Sequence, residues 1–321
     1  MDLAVTVGSV TLASPVMTAA GTAGHGDELL PYGALSELGA VVVKSLSPQA
    51  WDGNPSPRLH PVDNAMLNAV GLQGPGVPAW IAGDLPRLRA AGARVVVSIW
   101  GRSVEEYQQA ATLLAEVAHE LTALEVNLSC PNLSGKSIFA HDPSASADVV
   151  AAVTSVNRSP VWAKLSPNTD RVVEVAAAVD AAGAEAVTLI NTVIGLAIDP
   201  ATGRSRLANG TGGLSGPAIR PVAVRWIAEV SRALPDLAVI GVGGVVDGPS
   251  AAELLVAGAA AVQVGTAIFA DPRAPWAVQS DLVRWCTAHG VGRVADLTGT
   301  LRSPDPTSTI RPGAEPGRNE P

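Results

Sequence analysis

Short apolar runs rich in valine recur along the chain, and stretches with helical periodicity separate them. Runs that are apolar at consecutive positions are typical of strands buried on both faces of a parallel sheet. These runs are Pro15–Gly21, Val41–Ser45, Val95–Gly101, Leu124–Cys130, Val161–Ser166, Val187–Thr192, Val239–Gly244 and Val262–Thr266. The clearest helical stretches are Val104–Leu121, Asp170–Ala182, Ala218–Ala233 and Pro249–Ala257. The alternation predicts an α/β protein with a helix-covered parallel sheet.

The number of these units favours a closed sheet. Eight strand–helix units are the number expected of a (β/α)8 TIM barrel. A doubly wound open sheet is the alternative, but it usually has fewer strands and a glycine-rich turn after the first. We predict one barrel domain over residues 1–300, with an inserted segment, 46–78, over its mouth, a lid loop at 130–142 and a disordered tail at 301–321.

Polar residues and glycines follow nearly every predicted strand. In a barrel the carboxyl ends of all strands meet on one face, where active sites are built. We therefore expect these residues to surround one site: Lys44, Ser98, Asn127, Cys130, Lys164, Asn191, Thr192, Gly243, Gly244, Gly265 and Thr266.

Each residue type at this face suggests a chemistry. The glycines after the last two strands leave backbone N–H groups open to a phosphate, although glycines also serve simply to make turns. Lys44 and Lys164 end buried strands, where a cation is costly unless it meets an anion; the alternative is a surface lysine just past the strand. Asparagine amides both donate and accept hydrogen bonds, which suits a heterocycle with alternating N–H and C=O groups.

Cys130 sits between a strand and a proline-containing loop. A lone cysteine is most often a small buried hydrophobe. An accessible thiol with a lowered pKa acts instead as a general base. Cys286 lies on a helical pattern and is predicted to be structural.

Composition and charge narrow the class of protein. The chain has 321 residues, a net charge of −8 and scattered lysines and arginines, which disfavours nucleic acid as a partner. Two cysteines cannot supply a typical iron–sulfur cluster, and the histidines lack metal-ligand spacing. No signal peptide or membrane span is indicated, so a cytoplasmic protein is expected.

Taken together, these motifs resemble the class 1 dihydroorotate dehydrogenases, which use a cysteine base. The resemblance extends from about Val10 to Pro272. Its most specific pieces are Met66–Gly74 and Asn127–Asn132 in that order. The other matching pieces are Ala19–Thr22, Asn54–Arg58, Lys164–Asn168, Ile190–Thr192, Gly212–Pro217, Val242–Gly244 and Val264–Ala267.

The resemblance implies FMN-dependent oxidation of dihydroorotate to orotate in pyrimidine synthesis. Cys130 would remove the proton from C5 while C6 delivers a hydride to flavin N5. Lys164 would face the N1/O2 edge of the flavin. Substrate contacts would come from Lys44, Asn68, Ala69, Val70, Gly71, Leu72, Asn127, Asn132, Asn191 and Thr192. FMN contacts would come from Ala20, Lys44, Ser45, Ser98, Asn127, Lys164, Ile190, Gly216, Gly243, Gly244, Gly265 and Thr266.

Within the family, the chain looks closest to the class 1B catalytic subunit. That branch works with a second subunit that carries FAD and an iron–sulfur cluster and passes electrons to NAD, and the fumarate-using branch stays open. A homodimer or a heterotetramer is implied. The membrane-associated class 2 enzymes carry serine as the base and an N-terminal extension, so that branch is disfavoured.

Three positions depart from the family pattern near the expected flavin. Ala20 stands where serine is frequent, Ser45 where glycine is common and Ser98 where asparagine is frequent. Alternative readings are therefore a dihydropyrimidine-type flavin enzyme and a non-catalytic barrel subunit. A tRNA-dihydrouridine synthase is a weaker alternative, because the chain is acidic and lacks a basic extension.

Overall fold

The computed structural model describes residues 1–129 and 139–302. Within these ranges the strands are β1 (Val5–Val7), β2 (Val10–Leu12), β3 (Val16–Thr18), β4 (Val41–Val42), β5 (Leu59–Val62), β6 (Ala65–Asn68), β7 (Val95–Ile99), β8 (Ala123–Asn127), β9 (Val161–Lys164), β10 (Ala186–Leu189), β11 (Val193–Gly195), β12 (Ile198–Asp199), β13 (Arg204–Ser205), β14 (Gly212–Ser215), β15 (Ala238–Val242) and β16 (Ala261–Val264). The helices are α1 (Val77–Gly83), α2 (Leu85–Ala90), α3 (Val104–Ala115), α4 (Pro143–Val156), α5 (Val172–Ala181), α6 (Arg220–Ala233), α7 (Gly248–Ala257), α8 (Ala267–Ala270) and α9 (Ala274–Ala288).

Eight strands form the central sheet in the spatial order β3-β16-β15-β10-β9-β8-β7-β4, and each neighbouring pair is parallel. The sheet closes between β3 and β4, where Met17 and Ala40 form a parallel bridge and Gly39 N–H donates to the Val16 carbonyl at 2.8 Å. The prediction of a (β/α)8 barrel is confirmed, and the open doubly wound sheet is excluded.

Thr18 reinforces this closure with its side chain. Its Oγ1 accepts from Val42 N–H at 2.8 Å and donates to the Val42 carbonyl at 3.2 Å. Thr18 is fully buried, so the hydroxyl satisfies two backbone groups that water cannot reach.

The apolar runs predicted as strands coincide with the barrel strands, because residues buried on both faces leave a continuous apolar signal. One exception is Glu125, which is fully buried inside the barrel. Its Oε2 accepts from Thr188 Oγ1 at 3.0 Å and from Gln263 Nε2 at 2.7 Å. The two donors lie on β10 and β16, which are not adjacent to β8 in the sheet, and they satisfy only Oε2; Oε1 is buried without a hydrogen-bond partner among the described residues.

The helices cover the outside of the barrel with one apolar face each. In α3, Tyr107, Ala110, Ala111 and Leu114 are buried at helical spacing, and the Ser103 side chain caps the first turn by accepting from Glu106 N–H. The helix predicted to run to Leu121 instead ends at Ala115. The turn that follows is a short 3-10 helix, Ala118–Glu120.

A second sheet lies over the barrel mouth, and we call it the cap sheet. It is antiparallel, with the order β11-β14-β6-β5. Strands β5 and β6 come from the predicted inserted segment, whereas β11 and β14 belong to a second insertion, after β10, that the sequence analysis did not identify. The two insertions complete each other, since β6 pairs with β14.

Two predicted segments, the lid loop and the tail, fall mostly outside the described residues. For the predicted lid, only 139–142 is described; Phe139–His141 is a 3-10 turn in which Phe139 and Ala140 are buried. Phe139 packs edge-on against Tyr107, with ring centroids 5.7 Å apart. Of the predicted tail, only Leu301 and Arg302 are described, and both are exposed. No helix in the described part of the chain is long and apolar enough to cross a bilayer.

Thr18→Val should destabilise the protein by about 1–3 kcal/mol, because Val42 N–H would lose its partner in a buried site. The free energy of unfolding, measured by denaturant titration, tests this. Thr11→Val, at an exposed position of β2, is the matched control and should change stability by less than about 0.5 kcal/mol. Equal stabilities for the two variants would show that the Thr18 hydroxyl does not contribute to closure.

Candidate active site

A cavity of about 420 Å³ lies between the carboxyl ends of the barrel strands and the cap sheet. This volume is in the range of small-molecule and cofactor sites. Its wall combines backbone and polar side chains with the apolar side chains of the inserted segments. The size of the cavity and its mixed polar and apolar lining suit a small-molecule ligand.

The cavity brings together nearly all of the residues that the sequence singled out. The lining residues among them are Ala20, Lys44, Ser45, Asn68, Ala69, Val70, Gly71, Leu72, Asn127, Lys164, Ile190, Asn191, Thr192, Gly216, Gly243, Gly244, Gly265 and Thr266. Ser98 does not line the cavity; it is fully buried inside β7, behind Ser45. Cys130 and Asn132 lie outside the described residues.

One wall of the cavity is built from glycines at the ends of β15 and β16 and before α6. Gly243 and Gly244 have φ angles of 131° and 74°, and Gly216 has a φ of 99°, so L side chains are disfavoured at all three. A Cβ on Gly244 would lie 2.6 Å from the Cβ of Arg220. Because these glycines carry no side chains, their backbone N–H groups are accessible to an anion.

The same wall is tied to the cap sheet by hydroxyl groups. Thr266 Oγ1 donates to Ser215 Oγ at 2.8 Å, and Ser215 Oγ donates to the Met66 carbonyl at 3.4 Å. The end of β16 is thereby connected to β14 and β6. The glycine wall and the roof of the cavity form one hydrogen-bonded unit.

Lys44 follows β4 and faces the cavity, where its side chain is largely surrounded by protein. Burial lowers the pKa of the Lys44 ammonium, and the positive charge of Arg58 lowers this pKa further. Arg58 is held by the Asn54 carbonyl at 3.3 Å and by Gln73 Oε1 at 2.5 Å. Two neighbouring cations with no carboxylate between them favour binding of an anion.

Lys164, at the end of β9, is only 6% exposed. Within residues 1–129 and 139–302 its ammonium group has no hydrogen-bond or ion-pair partner in the protein. A buried cation without a counterion is costly. Since the residue lines the cavity, a ligand with negative charge or acceptor atoms is the natural partner of this group.

A chain of hydrogen bonds crosses the cavity floor. Asn191 Nδ2 donates to Asn127 Oδ1 at 3.2 Å, and Asn127 Nδ2 donates to Ser45 Oγ at 3.3 Å. Ser45 Oγ lies 2.8 Å from Ser98 Oγ. At the other end, Thr192 N–H donates to Asn191 Oδ1 at 2.8 Å. The two amides therefore have fixed orientations.

The segment Ala69–Leu72 lines the cavity, and side-chain hydrogen bonds to its backbone carbonyls hold it in place. Trp51 Nε1 donates to the Gly71 carbonyl at 3.0 Å, and Asn54 Nδ2 donates to the Ala69 carbonyl at 2.9 Å. Trp51 in turn lies under Arg102, whose guanidinium carbon is 4.8 Å from the ring centroid. The tryptophan therefore positions a cavity segment rather than filling the cavity.

Several polar cavity residues were missed by the sequence reasoning. They are Thr22, Asn54, Ser129, Ser166, Asn168, Asn209, Thr211 and Ser215. Asn168 is the best connected of them, because its Nδ2 donates to the Thr192 carbonyl at 3.0 Å and its Oδ1 accepts from Ile194 N–H at 2.9 Å. The signal was available, since Ser166 and Asn168 directly follow β9.

The remaining titratable groups do not form a further centre. Among the described residues, no group of three or more His, Cys, Asp or Glu side chains is placed to hold a metal ion. Cys286 is fully buried on α9, and burial raises the pKa of its thiol. This placement agrees with a structural role for Cys286.

The fold and the cavity define a (β/α)8 barrel with a small-molecule cavity at its mouth that is lined by two lysines and several asparagines. A model of the dihydroorotate dehydrogenase family matches residues 2–285. The chain is 45% identical over 301 residues to the dihydroorotate dehydrogenase B (NAD(+)) catalytic subunit of Pelobacter propionicus, covering 94% of this chain and 98% of that protein. The protein of the same name from Geobacter sulfurreducens is 44% identical over 301 residues, which again cover 94% of this chain and 98% of that protein.

The chain therefore belongs to the dihydroorotate dehydrogenase family, which is a family of oxidoreductases. The resemblance stated from its motifs is confirmed, including the placement in class 1B, since both relatives carry the name of the B-type catalytic subunit.

Arg58→Gln should raise the pKa of Lys44, because removal of a nearby positive charge favours the charged ammonium. Only the neutral amine reacts with an acylating reagent, so the pH of half-maximal labelling of Lys44 should move upward. Mass spectrometry of the Lys44 peptide measures this. Arg87→Gln, which removes surface ion pairs to Asp27 and Asp84, is the control and should leave the labelling profile unchanged. An unchanged or lower midpoint in Arg58→Gln would contradict the assignment.

Proposed function

We propose that this protein oxidises dihydroorotate to orotate in pyrimidine biosynthesis, with FMN bound in the barrel mouth. Membership of the family supports the reaction. The observation that carries the proposal for the site is that two lysines, several asparagines and the glycines after β15 and β16 line one cavity. A flavin and a pyrimidine both offer ring carbonyl and N–H groups to such a surface.

The residues present fit FMN at two points. Gly243, Gly244 and Gly265 lie where a phosphate would meet backbone N–H groups, and positive φ at the first two favours glycine over residues with side chains. Lys164 supplies a buried cation without a partner among the described residues, and it would face the N1/O2 edge. Bound FMN would supply the two-electron acceptor for the hydride that leaves C6 of the substrate.

Other residues of the cavity lining suit the substrate. Asn127 and Asn191 present amides of fixed orientation, and Asn68 is held by donation to the Gly213 carbonyl at 3.2 Å. Lys44 would attract the substrate carboxylate, and its lowered pKa does not prevent this, because a bound anion favours the charged ammonium. Ala69–Leu72 would form the wall that excludes water from the ring.

The base in this proposal is Cys130, with Asn132 as a further substrate contact. Both lie outside the described residues, so their roles rest on the sequence motif Asn127–Asn132. Near neutral pH a thiolate is a far stronger base than a serine hydroxyl. A cysteine at this position would therefore remove the substrate proton more effectively than a serine. The proton would leave C5 on the side of the ring opposite the flavin.

We also propose a cytoplasmic location and an electron-transfer partner. The two relatives are named catalytic subunits of an NAD(+)-linked enzyme, which supports a separate subunit as the route to NAD. The family resemblance implies that the partner would carry FAD and an iron–sulfur cluster; the two cysteines of this chain are too few for a typical cluster of its own. The assembly would be a homodimer or a heterotetramer with two copies of each subunit.

The purified protein should be yellow, and anaerobic addition of dihydroorotate should bleach its flavin absorbance. Dihydrouracil at the same concentration should bleach it far more slowly, because it has no carboxylate for the cationic side of the cavity. Stopped-flow absorbance measures both rates. Faster bleaching by dihydrouracil would favour the dihydropyrimidine-type reaction, and a colourless protein would favour the non-catalytic barrel.

Cys130→Ser should keep its flavin but slow bleaching by dihydroorotate by about 100-fold or more near neutral pH. The reason is that a serine hydroxyl is a poor base at this pH. Flavin content per protein and the bleaching rate constant should be measured on the same preparation. Cys286→Ser, at the buried cysteine on α9, is the control and should bleach at the wild-type rate. Equal rates for Cys130→Ser and wild type would remove Cys130 from the mechanism.

A further inference from the structure

The 3-10 turn Phe139–His141 places a histidine ring against the end of β9. Its Nε2 atom lies 3.4 Å from the hydroxyl oxygen of Ser166, the second residue after that strand. Ser166 is buried and lines the cavity, whereas His141 does not line it. A titratable ring outside the cavity is therefore in contact with a residue of the cavity wall.

Ser166 also contacts Asn168, whose side-chain orientation is fixed by a backbone group. Ile194 N–H donates to Asn168 Oδ1 at 2.9 Å, and because a backbone N–H only donates, this atom is the amide oxygen. Asn168 Nδ2 then donates to the Thr192 carbonyl and to Ser166 Oγ, each at 3.0 Å. One asparagine side chain thereby ties the end of β9 to the cap sheet at β11.

The Ser166 hydroxyl oxygen accepts two hydrogen bonds, from Asn168 Nδ2 at 3.0 Å and from Asn168 N–H at 3.2 Å. These bonds occupy both of its lone pairs, so the contact with His141 uses the serine hydrogen. A neutral imidazole accepts at one nitrogen and donates at the other. The geometry therefore makes Nε2 of His141 the acceptor and places the ring hydrogen on Nδ1.

A protonated His141 ring does not fit this arrangement. Both nitrogens of an imidazolium carry hydrogens, so Nε2 would offer a donor to a hydroxyl that has no lone pair left. Ser166 could accept this hydrogen only by giving up a bond from Asn168. The side-chain bond is the one that can move, since the backbone N–H of Asn168 is held by the chain.

The surroundings of His141 favour the neutral ring. The turn packs against α4 and α5, and Phe139 packs against α3. The titratable side chains that these helices, their N-caps and β9 bring to this region are Tyr107, Asp142, Asp148, Lys164, Arg171, Glu174 and Asp180. Burial lowers the pKa of His141, and no charged group among the described residues offsets this effect. The ring therefore takes up its proton only below the usual histidine range.

We propose that His141 is a positioning residue for the cavity: its neutral ring holds the Ser166 hydroxyl in the orientation that Asn168 binds, and protonation of the ring releases the Asn168 side chain. Because Asn168 also binds the Thr192 carbonyl and β11, its release loosens the connection between β9 and the cap sheet. Binding of substrate should then weaken in acid. The inference rests on the proposed function only for the choice of orotate as the ligand.

NMR of the purified protein labelled with 15N tests the ring and the amide without any ligand. At neutral pH the ring of His141 should carry its hydrogen on Nδ1, and its signals are identified by their loss in His141→Gln. The side-chain amide signal of Asn168, identified by its loss in Asn168→Ala, should shift as the His141 ring titrates. It should not shift over the same pH range in His141→Gln.

The effect on binding is measured by titrating the oxidised flavoprotein with orotate and following the flavin spectrum. The two conditions are about pH 7.5 and about pH 5, on either side of the usual histidine pKa of about 6.5. Relative to His141→Gln, the wild type should lose about 3- to 10-fold in affinity on going to the acid condition, because glutamine offers Ser166 an uncharged acceptor at both pH values. Comparison at equal pH cancels the titration of Lys44, which both proteins share.

Two further variants separate this role from a general effect of histidine or serine. His119→Gln is the matched control, because the His119 side chain is 76% exposed, and it should follow the wild-type pH dependence. Ser166→Ala should bind orotate more weakly than wild type at about pH 7.5, by about 3- to 10-fold. Adding His141→Gln to Ser166→Ala should change the affinity no further at either pH, since the histidine acts through the serine.

Three results would overturn the inference. They are a His141 ring hydrogen on Nε2 at neutral pH, an Asn168 amide signal that ignores the titration of His141, and an acid loss of affinity in His141→Gln equal to that of wild type. Orotate that leaves the flavin spectrum unchanged at every pH would instead refute the proposed function. The NMR titration would still decide the role of His141, because it needs neither flavin nor substrate.

Discussion

Closure of eight parallel strands into one sheet is the constraint on which the site depends. It brings the carboxyl ends of all the strands to a single rim, so that Lys44, Asn127 and Asn191 line one cavity although they lie far apart in the chain. The strand at the closing edge, β4, is the shortest of the eight, with only two residues. Thr18 supports it by supplying a hydroxyl where the ladder of backbone hydrogen bonds is short.

The roof of the cavity depends on a second non-local arrangement. The two insertions after β4 and after β10 each contribute strands to the cap sheet, and neither insertion makes that sheet alone. β6 pairs with β5 on one edge and with β14 on the other, so the strand that leads into Ala69–Leu72 is fixed on both edges. A ligand in the barrel mouth therefore meets a preformed wall, which lowers the entropy cost of binding.

The fold fixes the shape of the cavity and also which of its polar side-chain atoms donate hydrogen bonds and which accept them. Asparagine amides and serine hydroxyls both donate and accept, so their presence alone does not say what they offer to a ligand. Backbone N–H groups of Ser129 and Thr192 remove that freedom, and the direction passes along the amides to Ser45. The cavity thus presents a defined pattern of donors and cations, as expected of a site that selects one heterocycle.

The sequence by itself determined the barrel strands, their order along the chain and most of the polar rim. It did so because a strand buried on both faces must be apolar throughout, and because residues just past such strands are free to be polar. The local pattern was a weaker guide to the helices. Helix α4 was not named from the sequence, α9 was noted only as a helical pattern around Cys286, and the helix beginning at Val104 was predicted too long.

Only the tertiary structure decided how distant segments meet. The pairing of β6 with β14 joins residues such as Asn68 and Gly213, which are 145 positions apart, and no local periodicity reports such a contact. The same holds for Ser98, which the sequence placed on the flavin and the structure places behind Ser45. Hydrogen-bond direction and strand pairing arise from contacts between distant segments. The apolar pattern of a strand or helix can be recognised within its own segment of the sequence.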